Sequence, residues 1–147
     1  MTLTHGFLGL ALAGLSLVVG TASPGVAHAA PVPKDAEDAC SNRTLHGSYG
    51  LHATGTVIGV GDFAAVGRFV FDGNGNLTAT LYVRVNGNNV GPLNLSGTYS
   101  VSPECIVTDQ WGGSTHVSVI VDNGKGYFIL NNTAGEGDTI SGEAKRQ

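Results

Sequence analysis

From residue 47 to residue 147 apolar and polar positions alternate in short runs, with Gly-, Asn- and Asp-rich turns between them. A period of two sets successive side chains on opposite faces of a β-strand. The runs predict eight strands, over residues 47–57, 63–71, 77–85, 90–101, 105–111, 115–121, 126–131 and 138–145. The separating turns include Asp72-Gly73-Asn74-Gly75-Asn76, Asn86-Gly87 and Asp122-Asn123-Gly124. Asp-Gly and Asn-Gly pairs supply the positive backbone angles that tight hairpins demand. Connections this short join neighbouring antiparallel strands. No segment holds a helical period for three turns, which excludes crossover helices and a parallel sheet. Eight such strands are enough to close a small sheet on itself. The expected fold is therefore all-β: an eight-stranded antiparallel up-and-down β-barrel.

The same period assigns the faces. On the third strand Leu77, Ala79, Leu81, Val83 and Val85 share one side, opposite Thr78, Thr80, Tyr82 and Arg84. Phe63, Ala65, Gly67, Phe69 and Phe71 align on the second strand, with Arg68 on the reverse. The first aligns Tyr49, Leu51, Ala53 and Val57, and the fourth Leu93, Leu95, Gly97, Tyr99 and Val101. These apolar sets are expected inside. The sixth and seventh strands are apolar on both faces, Val117, Val119 and Val121 opposing Ile120, and Phe128 and Leu130 opposing Ile129. A second copy of the chain, or the N-terminal arm, is expected to cover one outer face there.

Upstream the pattern changes. Residues 7–19 form an uncharged apolar run, followed by Ser23-Pro24-Gly25 and then Ala27-His28-Ala29, a small-x-small cleavage pattern. Residues 1–29 are expected to be a signal peptide, 30–46 a polar linker or arm, and 47–147 the barrel domain. A short helical turn is expected over 38–45, capped by Asp35 or Asp38. The apolar run is short for a membrane span and no second one follows, so no stable span is expected and the chain is expected to be secreted. Cys40 and Cys105 are the only two cysteines. In an exported chain they read as a disulfide closing a loop of about 65 residues, which by chain entropy contributes about 4 kcal/mol.

Composition narrows the partners. The formal net charge is −4 and only 12% of residues are charged. Basic residues are scattered apart from Lys145-Arg146, so nucleic acid is not an expected partner. The 23 glycines follow no collagen period, and those from Gly47 onward fall in turns and strands, as a sharply curved sheet requires.

Chemical motifs are sparse. Asp72-Gly73-Asn74-Gly75-Asn76 resembles the start of a calcium loop, but the sixth and twelfth positions hold Leu77 and Val83 where an EF-hand needs Gly and Glu. His46, His52 and His116 have no carboxylate or cysteine at ligand spacing, so no metal and no cofactor are expected. No nucleophile elbow occurs. Asp109 and Glu143 are lone strand carboxylates, expected on a solvated surface unless barrel walls desolvate them. Asn42-Arg43-Thr44, Asn76-Leu77-Thr78, Asn94-Leu95-Ser96 and Asn131-Asn132-Thr133 match the glycosylation pattern. The aromatic residues are the most suggestive group. Tyr49, Phe69, Phe71 and Tyr99 fall on inner faces with Leu81, and Trp111 ends a strand near a rim. These six either fill the core or line a cavity for an apolar ligand.

The run from Gly67 to Leu77, with Ser96-Gly97-Thr98-Tyr99-Ser100-Val101, Cys105 and the closing Gly142 to Gln147, resembles a group of small secreted bacterial proteins. Strand count and length more loosely resemble the lipocalin-like (calycin) barrels and the allene oxide cyclase-like barrels. In place of the lipocalin G-x-W stands Gly47-Ser48-Tyr49. These resemblances imply a barrel that takes a hydrophobic small molecule into its interior. They imply as an alternative a cofactor-free cyclase or isomerase, with Tyr49, Tyr82 and Tyr99 as hydrogen-bond donors and Glu143 or Asp109 as acid-base group. A self-associating surface protein is the remaining expectation.

Overall fold

The computed structural model describes residues 39–147. The expected signal peptide, the Asp35 and Asp38 caps and most of the linker lie outside the described residues. Eight strands, β1 (His46–Val57), β2 (Gly61–Asp72), β3 (Asn76–Val85), β4 (Asn88–Val101), β5 (Ile106–Trp111), β6 (Ser114–Val121), β7 (Gly126–Asn131) and β8 (Thr139–Arg146), follow one another around a closed barrel. Every pairing is antiparallel between chain neighbours, and β8 closes the ring against β1, with Tyr49 opposite Arg146 and Thr56 opposite Thr139. The up-and-down barrel expected from the alternation is the fold. Strand boundaries lie within two residues of the expected ones. Among the described residues no helix is long and apolar enough to cross a membrane.

The helical turn is shorter than expected. It is a single 3-10 turn over Asn42–Thr44 with Ser41 at its N-cap position, where the Ser41 N–H donates to Thr44 Oγ1 at 3.0 Å. A second one, Asp122–Gly124, joins β6 to β7.

Because strands run up and down, their connections divide between two ends. At one end lie the turns over 73–75 and 102–105, the Asp122–Gly124 turn and the Asn42–Thr44 turn. At the other lie the loops over 58–60, 86–87, 112–113 and 132–138. The first end is plugged. Leu45 is 1% exposed and Tyr49 fully buried, and Phe69, Phe71, Leu77, Tyr99, Val107 and Tyr127 pack with them. Phe71 meets Tyr49, Tyr99 and Tyr127 edge-on, with centroids 5.5, 5.0 and 5.7 Å away, the geometry that aromatic quadrupoles favour.

Polar bonds fix the plug. Tyr99 Oη donates within reach of the Asn42 and Leu45 carbonyls at 3.0 and 2.9 Å, and Asn42 Oδ1 accepts the Val101 N–H at 2.8 Å. Tyr49 Oη donates to the Gly124 carbonyl at 2.6 Å and accepts from Arg146 Nη2 at 2.9 Å. The Cys40–Cys105 disulfide ties the N-terminal turn to the start of β5 across 65 residues, with Cα atoms 4.9 Å apart.

Two inward glycines let the wall curve this tightly. A Cβ on Gly67 would overlap the Leu81 side chain across the β2–β3 pair. One on Gly97 would overlap Trp111 across β4–β5.

Candidate functional site

Above the plug the barrel is not filled. A cavity of about 330 Å³ occupies the loop end, at the small end of the range for ligand pockets. Its wall follows the strand period. Leu51 and Ala53 come from β1, Phe63 and Ala65 from β2, Leu81, Val83 and Val85 from β3, and Leu93 and Leu95 from β4. Trp111, His116, Ile129 and Ile140 complete it from β5 to β8, and Ser114, Asn131 and Asp138 stand among its polar lining. Strand length helps to open it: β4 has 14 residues and β5 only six, and Trp111 at the end of β5 pairs with Gly97 well inside β4.

The six aromatic and aliphatic residues singled out from the alternation divide between the two ends. Leu81 and Trp111 are on the cavity wall. Tyr49, Phe69, Phe71 and Tyr99 are in the packed aromatic cluster beneath it. Phe69 links the groups, its ring 5.1 Å from that of Trp111.

The structure corrects the expectation for Asp109. It is 6% exposed, faces inward from β5, and pairs with His116 of β6, which is equally buried. His116 Nδ1 lies 3.0 Å from Asp109 Oδ1. Trp111 stacks on the His116 ring, with centroids 4.0 Å apart and planes 10° from parallel. The carboxylate thus sits behind the histidine, and the histidine stands on the wall. Nearby, burial pushes the Tyr127 hydroxyl well above its ordinary pKa, and the Asp109 charge adds to the shift. Tyr127 therefore stays neutral.

Ligand spacing along the sequence does not reveal this pair, because its members are seven positions apart. Hairpin arithmetic finds it. A two-residue turn at Gly112-Gly113 pairs Trp111 with Ser114, Gln110 with Thr115 and Asp109 with His116, and the period of two then turns the pair inward with Trp111.

Other candidates fall outside the cavity. Tyr82 is 58% exposed on the outer face of β3, and Glu143 is exposed on β8 beside Lys145, so neither reaches the interior as acid, base or donor. The calcium-like turn spends its carboxylate on itself. Asp72 Oδ1 accepts the Asn74 and Asn76 N–H groups at 2.7 and 2.9 Å, and Oδ2 accepts from Asn76 Nδ2 at 2.7 Å. These bonds lower the Asp72 pKa from 3.8 to about 2. On the outer surface Val119 stands opposite both Ile106 and Phe128, and Val117 opposite Leu130. Phe128 is 54% exposed on the β7 side of this apolar strip, opposite Glu143 of β8.

Compared with known proteins, the chain matches no family model, no curated protein and no solved structure. The resemblance to secreted bacterial proteins therefore rests on the motifs quoted above, and that to lipocalin-like or allene oxide cyclase-like barrels on strand count and length alone.

Proposed function

We propose that this protein is an exported binding barrel that holds a hydrophobic small molecule in its loop-end cavity. The observation that carries this reading is the 330 Å³ space walled mainly by Leu51, Phe63, Leu81, Val83, Leu93 and Trp111. A ligand seated there loses its apolar surface to that wall at roughly 25 cal/mol per Å² removed from water. Of the six residues marked from the alternation, Leu81 and Trp111 would touch the ligand, while Tyr49, Phe69, Phe71 and Tyr99 would form the rigid base beneath it. The disulfide supports an oxidising compartment.

The test is uptake. Trp111 is the chain's single tryptophan, so its fluorescence reports the wall directly. Native mass spectrometry should retain one small apolar molecule per chain, and an apolar quencher should reach Trp111. Ala65→Phe, which fills the cavity from β2, should abolish both signals while the fold persists. Unchanged uptake by that variant, or none by the natural chain, refutes the reading.

The outer strip of β5, β6 and β7 supports a second reading, association with a second copy through that face. Phe128→Lys would then change the sedimentation coefficient at high protein concentration. A natural chain that sediments as a monomer throughout excludes it.

A further inference from the structure

The cavity wall carries one polar group built with more care than a solvent-filled space needs. His116 is buried, braced on one flank by the stacked Trp111 ring and from behind by Asp109. An ionised carboxylate only accepts hydrogen bonds, so with Asp109 in that form the 3.0 Å contact must be donated by Nδ1. A neutral ring with its proton on Nδ1 presents a bare lone pair at Nε2. Among the described residues no protein group hydrogen-bonds to Nε2, although the residue lines the cavity.

The remaining lining narrows what meets that lone pair. It contains the Asp138 carboxylate and no Lys or Arg. With Asp109 behind the wall and Asp138 on it, an anionic ligand meets two carboxyl groups and no Lys or Arg side chain. A fully charged ammonium would lose its hydration against the leucines and valines of the wall. A neutral O–H donor on an apolar body satisfies Nε2 without either cost.

We propose that His116 is the polar anchor of the cavity, accepting through Nε2 a hydrogen bond from a neutral, largely apolar hydroxyl compound. Asp109 is the positioning residue that holds the ring tautomer. This inference rests on the reading of the cavity as a ligand site, and the two fail differently.

The test compares probes of one shape by calorimetry: 1-naphthol, 1-methoxynaphthalene, 1-naphthoate and 1-naphthylmethylammonium. The natural chain should bind 1-naphthol about tenfold more tightly than the methyl ether, since a buried acceptor left unpaired is worth about that factor. In His116→Phe the two should bind alike, with the ether keeping its affinity. If no probe binds, the cavity reading itself fails. If the ether matches the naphthol in the natural chain, the cavity reading stands and the anchor is refuted. Tightest binding by the carboxylate or the ammonium refutes it too, as does a hydroxyl preference that survives His116→Phe. Nitrogen NMR of the His116 ring in the natural chain decides the matter even if the variant does not fold. The deprotonated ring should carry its proton on Nδ1, and a proton on Nε2 overturns the proposal.

Discussion

The two ends of this barrel use the same strands to opposite effect. At the plugged end alternate inward positions hold Tyr49, Phe69, Phe71, Tyr99 and Tyr127, and the Asn42–Thr44 turn with Leu45 closes the opening. At the loop end the inward positions further along β1 to β4 include Ala53, Ala65, Val83 and Leu93, and a cavity remains. A small barrel has room for about one layer of large rings per level. Replacing the rings by smaller side chains further along the same strands, Tyr49 by Ala53 on β1 and Phe69 by Ala65 on β2, is enough to turn core into pocket. One end supplies stability, and the other is thereby released from having to be close-packed.

The sharpest way to break that division is to remove the plug's fastenings. The double variant Cys40→Ala/Cys105→Ala should lose about 4 kcal/mol, since the loop spans 65 residues. Denaturant titration would measure it, and uptake by the surviving folded fraction should be unaltered because neither cysteine lines the cavity. A loss under about 1 kcal/mol would mean that the N-terminal turn stays docked without its bridge.

Tyr49→Phe comes next. Its hydroxyl bonds the Gly124 carbonyl and Arg146 across the end of the barrel. Removing it keeps the ring but strands a buried carbonyl, for an expected cost of about 1–3 kcal/mol by the same titration. The matched change at the loop end, Leu93→Ala, should cost less than a core truncation, about 1 kcal/mol, because one side of Leu93 already faces empty space. It should weaken apolar uptake while Tyr49→Phe leaves uptake alone. If both variants lower stability and uptake together, the ends are one cooperative unit and the division fails.

Much of this was legible in the chain. The strands, their order and their inner faces follow from the period of two and from turns such as Asn86-Gly87. The disulfide follows from there being two cysteines. What lay hidden needs three dimensions. Asp109 reads as an isolated surface carboxylate until the Gly112-Gly113 hairpin is counted and its partner, His116, falls opposite. Glu143 reads as a candidate acid until its place on the outer face of β8 is seen, whereas the alternation alone already turns Tyr82 outward. The plug was least legible of all. Nothing in the short segment before β1 announces that Leu45 will be swallowed, because that depends on the Tyr99 hydroxyl reaching back 54 residues to its carbonyl.

The smallest expected effect concerns the turn between β2 and β3 at the plugged end. Asp72 is fully exposed, yet it accepts N–H bonds from Asn74 and Asn76, and its pKa falls from 3.8 to about 2. In the unfolded chain those bonds are absent and the ordinary value returns. A depressed native pKa means that the folded state prefers the ionised carboxylate. The resulting stabilisation is complete above the unfolded value of 3.8 and drains away as pH falls towards about 2. Solvent screening keeps it small. Asp72→Asn should lower the melting temperature slightly at neutral pH, flatten its dependence on pH across that window, and leave uptake at the far end of the barrel untouched. Carboxyl NMR of the natural chain offers the direct check: a titration midpoint near 3.8 rather than near 2 would show that the turn does not hold its carboxylate, and that order at the plugged end stops short of this hairpin.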